Sequence, residues 1–590
     1  MEKLKEIRSR MEKEGVDYYI IPTGDPHGSE YPADAYKYRT FVTGFTGSAG
    51  TAVISQEEAY LWTDGRYYIQ AGRELEGSGF QLMKLGEPGV LDPLAWLEKK
   101  AQEGENVAFN GKIFMAKDFL KLEGKRKDLN YKSLDLVGDL WKDRPALPKG
   151  KIFSLKSAYT KLTSEEKIGK VREDLKDRNL DLFLLSSLDD IAWLTNLRGK
   201  DIECNPVFLS FMVISQEAQT LYVDLDKVNR DLLTYLEGEK IGVKAYEEIY
   251  KDLEKIKDQK ILLDPEKTNV DLYLALREKN KLTEDMNPTT FFKAKKNEVE
   301  LNNQKTAYMD DGVALVKYFA WLDREVKAKK ITEFQAQEKL VSFRKRIIDY
   351  VEDSFTPISA YGENGAMMHY SAQEGKDAVL GEDSFYLIDS GGQYYRGTTD
   401  ITRTLHFGEP TDEEKRDYTL VLKSHINLAM TVFLEGTKGS QLDAIARRPL
   451  WQHHLDYKCG TGHGVGYFLN VHEGPHRISR WTEDVPLKEG YVVTIEPGIY
   501  KEGKYGIRLE NVVAVKEDGK SPDGTFYSFD MLSYIPFDRK CIDRNLLNND
   551  EIQWLNKYHE QVYNLLSPNL SPEEESYLSK QTEPIRDHND

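Results

Sequence analysis

At 590 residues the chain exceeds what one hydrophobic core usually supports, so three or four domains are expected, and a 40% hydrophobic content with 34 Tyr and 23 Phe suffices for their cores. A net charge of −18, with both signs spread along the chain, argues against a nucleic-acid-binding surface. The three cysteines, Cys204, Cys459 and Cys541, lie far apart, which excludes a disulfide framework and favours a reducing compartment, and no apolar run approaches the length of a membrane span.

Leu4, Ile7 and Met11 share one face of a charged amphipathic helix, unlike a signal peptide, and lead into the apolar run DYYII beginning at Asp17. A soluble cytoplasmic protein is therefore expected. Ile168, Val171 and Leu175 repeat that spacing 164 positions later, ahead of DLFLL beginning at Asp181. FVTGF and WLTNLRG, then VISQE at 53–57 and 213–217, then LWTDGR and LYVDLD follow in the same order. This matched order and periodicity reads as an internal duplication. Helix and strand alternate in each copy, so two α/β domains of similar topology are expected at 1–150 and 151–298, joined near RPALPKGKIF.

Near 290–300 the stretch NPTTFFKAKKNEVE gives way to a long helical pattern through Leu301, Met309, Val313, Val316 and Phe319. A further helix opens at the capping-box pair Thr332 and Gln335. Gly-rich strand pairs follow, so a domain at 299–520 is expected to be α+β. Residues 521–590 form a Tyr- and Asp-rich extension with a helix at EIQWLNKYHEQVYNLL, expected to cover a core face or a partner chain, and TEPIRDHND at the end is expected to fray.

The third domain carries the chemistry. Asp389, Asp400, His463, Glu496 and Glu510 lie in or beside the apolar segments FYLIDSGG, TTDITRTL, GTGHGVG, VVTIEPG and IRLENVV. A buried charge is costly unless it is paired or binds metal, so a shared cation site is the economical reading. The stretch SFYLIDSGGQYYRGTTDITRTLHF reads as a β-hairpin that brings Asp389 and Asp400 together, where a divalent ion would relieve their repulsion. Four carboxylates balance two divalent ions, and an oxygen-rich set with one imidazole suits Mn, Co or Zn at a separation of roughly 3.5–4 Å. For any one carboxylate alone, capping of backbone amides explains it equally well. GTGHGVG lacks the Lys-Ser/Thr ending of a phosphate loop, His453 and His454 lie on an expected helix without the HExxH arrangement, and no GxSxG elbow accompanies a triad.

In their order along the chain these residues resemble the pita-bread metallopeptidases, which include methionine aminopeptidase, prolidase, creatinase and aminopeptidase P. FVTGFTGSAGTAV, LWTDGRYY, AWLTNLRG, NGAMMHYSA, GTGHGVG, NVHEGP, TIEPGIY and GIRLENVV are similar to the three-domain cytosolic aminopeptidase P family over nearly the whole chain. The resemblance implies two creatinase-like domains before a pita-bread catalytic domain, usually as a homodimer. It implies a manganese-dependent enzyme that removes the residue ahead of a second-position proline, using a hydroxide that bridges two metal ions. By the same resemblance Asp389 would hold one metal, Asp400 and Glu510 would bridge both, and His463 and Glu496 would complete the other. Glu496 would also accept a proton, His472 would stabilise the transition state or bond the peptide, and His369 would meet its proline side. Arg39 matches a substrate-contacting arginine, and Tyr500 and Arg508 match positions that orient the ligands.

Cys459 stands where family members commonly have histidine, and His476 matches no catalytic position and is expected in a loop. Two alternatives stay open at this point. One is a prolidase acting on X-Pro dipeptides, and the other is a non-catalytic pita-bread module that binds peptides.

Overall fold

A computed structural model describes residues 1–481 and 485–586, in two compact units. The first comprises Met1–Ser157 and Leu162–Thr290, and the second Ala158–Lys161 and Phe291–Asp590.

The duplication is visible in the first unit. Helix Glu2–Glu14 buries Leu4, Ile7 and Met11, and helix Ser164–Asp177 buries Ile168, Val171 and Leu175. Each helix is followed by a residue in the left-handed region, Gly15 at φ 60° and Asn179 at φ 54°, the two residue types that tolerate it best after a helix. In the first sheet, strand Tyr18–Pro22 pairs antiparallel with Thr51–Ile54 and parallel with Asn106–Phe109. In the second, Leu182–Leu185 pairs antiparallel with Ser210–Ser215 and parallel with Lys260–Leu263. The outer strands repeat the same order, giving two six-stranded mixed sheets of one topology. The copies share one compact unit. His27 is buried between them, its ring nitrogens bonded to the Ser186 carbonyl (2.9 Å) and the Tyr246 hydroxyl (2.8 Å).

The second unit opens ahead of residue 299. Lys293 and Lys296 are buried against Glu473, which ties the stretch after Thr290 into this unit. Helix Glu298–Glu325 starts at a capping box between Asn297 and Glu300, and helix Glu333–Arg344 at the expected one between Thr332 and Gln335. Tyr308, Leu315, Phe319 and Leu340 from these helices pack on Ile388, Ile401, Val492 and Val512 from the strands. One sheet joins Ile358–Tyr361, Phe385–Ser390 and Ile401–His406; a six-stranded sheet includes Asn511–Ser521, Val492–Ile495, Gly462–Gly464 and Glu473–Ile478.

Helix Asn549–Leu566 buries Ile552, Leu555, Tyr558 and Val562 in a cluster with Val421, Ile426 and Phe537, so this part of the extension covers a core face of its own unit. Three local expectations are corrected. His476 lies buried in strand Glu473–Ile478 rather than in a loop, with Nε2 on the Val492 carbonyl (2.8 Å). Helix Gly439–Trp451 ends before His453 and His454, because His454 takes a positive φ of 57° that no helix continues. The tail does not fray over its described part. Thr582 is buried, the Ile585 amide donates to Asn556 (2.8 Å), and Arg539 bonds Glu583 (2.9 Å); residues 587–590 lie outside the described residues.

Candidate metal centre

Two antiparallel strand pairs bring the five residues together from distant parts of the chain. Strands Phe385–Ser390 and Ile401–His406 pair with Asp389 opposite Thr402, which leaves Asp400 just ahead of the second strand. The turn between them carries its own short hairpin, Gly392–Tyr394 against Gly397–Thr398. In the other sheet Ile495 faces Asn511, so Glu496 and Glu510 flank the same end of a second pair. His463 sits on the neighbouring strand, where Gly464 pairs with Val493. A Cβ at Gly462 would collide with the Thr494 carbonyl and one at Gly464 with the Glu473 carbonyl. The glycines of GTGHGVG are therefore there for close strand approach.

The electrostatics of the cluster favour a cation. Among the described residues Asp400, His463 and Glu510 offer ligand atoms that all lie within 4.8 Å of one another. His463 Nδ1–H donates to the Gly464 carbonyl (2.9 Å), so in the neutral ring the Nε2 lone pair faces Asp400 Oδ2 (3.3 Å) and Glu496 Oε1 (3.4 Å). Lone pair against carboxylate is repulsive without a proton or a cation between them. Burial opposes protonation of His463, yet Asp400 and Glu496 outweigh it and raise its pKa to about 9. Burial, helped by Asp400 and Glu496 against Arg508, lifts Asp389 to about 6, and burial with the neighbouring carboxylates lifts Glu510 well above the usual range. Asp389 Oδ1 is buried without a hydrogen bond. Hard divalent ions fit this donor set, since they would take up the free lone pairs and relieve the repulsion together.

Thr402 links the two strand pairs, and Arg508, at the end of strand Tyr505–Arg508, braces the first of them. Arg508 donates to Asp389 Oδ2 (2.7 Å), the Tyr500 hydroxyl (2.7 Å), Thr402 Oγ1 (3.2 Å) and the Met368 carbonyl (3.3 Å). Thr402 in turn donates to Glu510 Oε2 (2.7 Å). Thr494 Oγ1 accepts from the His463 amide (3.0 Å) and donates to Glu496 (3.1 Å). The His472 ring meets His463 edge to face, with centroids 4.3 Å apart. His369 lies half-buried beside Met368, in the connection after the 3₁₀ turn Gly362–Ala366.

Arg39 belongs to the first unit and is not part of this cluster. Its guanidinium is buried and donates to Thr23 (2.8 Å), the Phe45 carbonyl (3.1 Å) and the Gly47 carbonyl.

Thr402, Thr494 and Arg403 went unnoticed in the sequence. Arg403 is fully buried, bonding the Glu510 carbonyl (2.5 Å) on one side and the Ile535 carbonyl (2.7 Å) and Tyr558 hydroxyl (3.1 Å) on the other. It links the C-terminal segment to a candidate ligand. An arginine inside the strand ITRTLH, three residues after Asp400, was the available signal.

The chain matches family models along most of its length. Residues 3–139 and 143–300 each match a creatinase/prolidase N-terminal domain, 305–517 match metallopeptidase family M24, and 525–585 match the C-terminal region of that peptidase family. A probable Xaa-Pro aminopeptidase P of Neurospora crassa is 41% identical over 95% of this chain and 85% of its own, and one of Pyricularia oryzae is 40% identical over 99% of both. The crystal structure of an X-prolyl aminopeptidase from Caenorhabditis elegans, described as a cytosolic enzyme with a di-nuclear active site, superposes with a TM-score of 0.95 at 33% identity over 99% of each chain. An Xaa-Pro dipeptidase from Bacillus anthracis shares the fold over 64% of this chain, at 22% identity and a TM-score of 0.52. Two creatinase-like N-terminal domains thus precede a pita-bread domain, and the chain belongs to the Xaa-Pro aminopeptidase P family of M24 metallopeptidases.

Proposed function

We propose that this protein is a metal-dependent aminopeptidase that hydrolyses the bond between an N-terminal residue and a following proline. The observation that carries the reading is the cluster of Asp400, His463 and Glu510 with ligand atoms within 4.8 Å of one another, joined by Glu496 Oε1 at 3.4 Å from His463 and by a buried Asp389 oxygen that lacks a hydrogen bond. Asp389, Asp400, His463, Glu496 and Glu510 would together hold two divalent ions. Manganese is the proposed metal, and cobalt or zinc suit the same donors. Two such ions supply Lewis acidity that activates water and polarises the scissile carbonyl.

The chain's own side chains do the rest. Arg508 fixes one oxygen of Asp389 and leaves the other free, and Thr402 does the same for Glu510. The Gly464 carbonyl fixes the His463 tautomer so that Nε2 faces the carboxylates. Glu496 accepts the proton of the attacking water, and His472, standing against His463, donates to the developing oxyanion or to the bound peptide. His369 walls the proline side. Tyr500 orients Arg508, and Arg39 is proposed as a substrate contact from the family resemblance alone.

The proposed organisation is two creatinase-like domains at 1–150 and 151–298, a pita-bread domain at 299–520 and an extension at 521–590, working as a homodimer in the cytoplasm on peptides with proline second. Among the described residues no helix is long and apolar enough to cross a membrane.

The test is release of the first residue from Arg-Pro-Pro, Arg-Ala-Pro and Gly-Pro by metal-stripped protein, with and without added Mn. Cleavage of Arg-Pro-Pro alone, restored by metal, supports the reading. Turnover of Gly-Pro without Arg-Pro-Pro would make the enzyme a prolidase, and no turnover at all would make the chain a peptide-binding module.

A further inference from the structure

His369 lies in the long connection between strands Ile358–Tyr361 and Phe385–Ser390, whose only regular element is the 3₁₀ turn Gly362–Ala366. Connections of that length stay mobile unless something ties them down. One buried carboxylate does so here. Glu333, the first residue of helix Glu333–Arg344, is fully buried. Its Oε1 accepts from the Tyr361 amide (2.5 Å) and Asn364 Nδ2 (3.0 Å). Its Oε2 accepts from the Tyr370 hydroxyl (2.8 Å), the Ala378 amide (2.9 Å) and Asn364 Nδ2 (3.2 Å).

These donors come from both ends of the 361–378 stretch and from its middle. On the other side of His369, the Met368 carbonyl accepts from the same Arg508 nitrogen that holds Asp389. His369 is thus bracketed in sequence by two pinned neighbours, Met368 toward the ligand cluster and Tyr370 toward Glu333.

We propose that Glu333 is a positioning residue for substrate recognition: by clasping the 361–378 connection it fixes where His369 stands. The inference rests on the assignment of His369 to the proline side of the peptide. A carboxylate is needed because every partner is a donor. Glutamine offers one acceptor oxygen and would turn an NH₂ group toward other donors, leaving a buried amide or hydroxyl unpaired. Among the described residues the Glu333 carboxylate bonds only to Tyr361, Asn364, Tyr370 and Ala378 and to none of the five candidate ligands, so its removal should act on KM and leave the metal in place.

The experiment compares E333Q, H369A and the double variant as full-length protein, reading kcat, KM for Arg-Pro-Pro and bound Mn. The expected result is a rise in KM of about tenfold for E333Q, inside the roughly 100-fold that a misplacement of about 1 Å can cost. Metal content should stay unchanged, and E333Q should add less than about twofold once His369 is gone. Y370F, which removes one of the five bonds, should raise KM less, with the same dependence on His369, and carries the test if E333Q does not fold. Equal losses in the presence and absence of His369, loss of metal in E333Q, or an unchanged KM would overturn the proposal. If H369A itself leaves kcat/KM intact, the role given to His369 falls and takes this one with it; if H369A is impaired while E333Q adds independently, only the positioning role falls.

Discussion

Replacing Arg508 with lysine keeps a positive charge and removes a fork, and so separates charge from geometry at the proposed metal centre. Four acceptors share the Arg508 guanidinium: Asp389, Tyr500, Thr402 and the Met368 carbonyl. A lysine ammonium has a single nitrogen and cannot reach positions spread around a planar group. The contact that matters most is the 2.7 Å bond to Asp389 Oδ2, because it leaves Oδ1 free as the proposed ligand atom. A buried hydrogen bond to a charged group is worth about 1.5–3 kcal/mol. Losing about 2 kcal/mol of ligand orientation corresponds to roughly 30-fold in affinity, within the 10- to 100-fold typical of groups that orient metal ligands. The assay is calorimetric titration of stripped R508K with Mn, beside kcat/KM for Arg-Pro-Pro and a far-ultraviolet dichroism spectrum to check the fold. A folded variant whose metal affinity and kcat/KM both stay within about threefold of the parent would refute the argument that fork geometry holds Asp389.

Three further outcomes are expected. Asp311 accepts from Arg344 Nε (2.7 Å), Tyr394 (2.8 Å) and Thr399 (2.8 Å), all buried, so D311N should destabilise the second unit by about 3–5 kcal/mol, and a loss under about 1 kcal/mol in denaturant melts would contradict a buried-charge role. G462A should push the His463 strand off the Thr494 carbonyl and weaken binding of added divalent metal without global unfolding; parental metal content would show that the strands have room. Burial lowers His27 to about 4 and His559 to about 3, against about 6.5 in an unfolded chain. Both are neutral in the fold, so their contribution is complete above pH 6.5 and is lost as pH falls toward 4, at about 1.4 kcal/mol per pH unit per histidine, because the unfolded state takes up the proton first. Melts of the protein and of H559N between pH 7.5 and 5 check this, and an equal pH slope in the two would rule His559 out.

Much of the fold was legible because local energetics repeat. The spacing Leu4, Ile7, Met11 recurs at Ile168, Val171, Leu175, and residues that tolerate a left-handed backbone, Gly15 and Asn179, close both helices. Asp389, Asp400 and Glu510 stood out because a charge in an apolar strand costs too much to go unexplained. His476 misled, since a histidine between a Gly-Pro pair and an arginine looks like a loop residue until its strand partners are in place. Glu333 was invisible for the opposite reason: a glutamate in the first turn of a capped helix is ordinary there, and nothing local says that its carboxylate faces inward.

The duplicated topology, the helix starts and the identity of the charged residues are written in local sequence, because they depend on periodicity and caps within a few residues of one another. How those charges are held depends on long-range packing. Arg508 reaches Asp389 across 119 positions and Thr402 reaches Glu510 across 108. Threonine and arginine are common enough in strands that no local pattern marks them as partners. A hydrogen bond is directional and short-ranged, so which donor meets which carboxylate is settled by strand register and packing, and these exist only once the distant segments have come together.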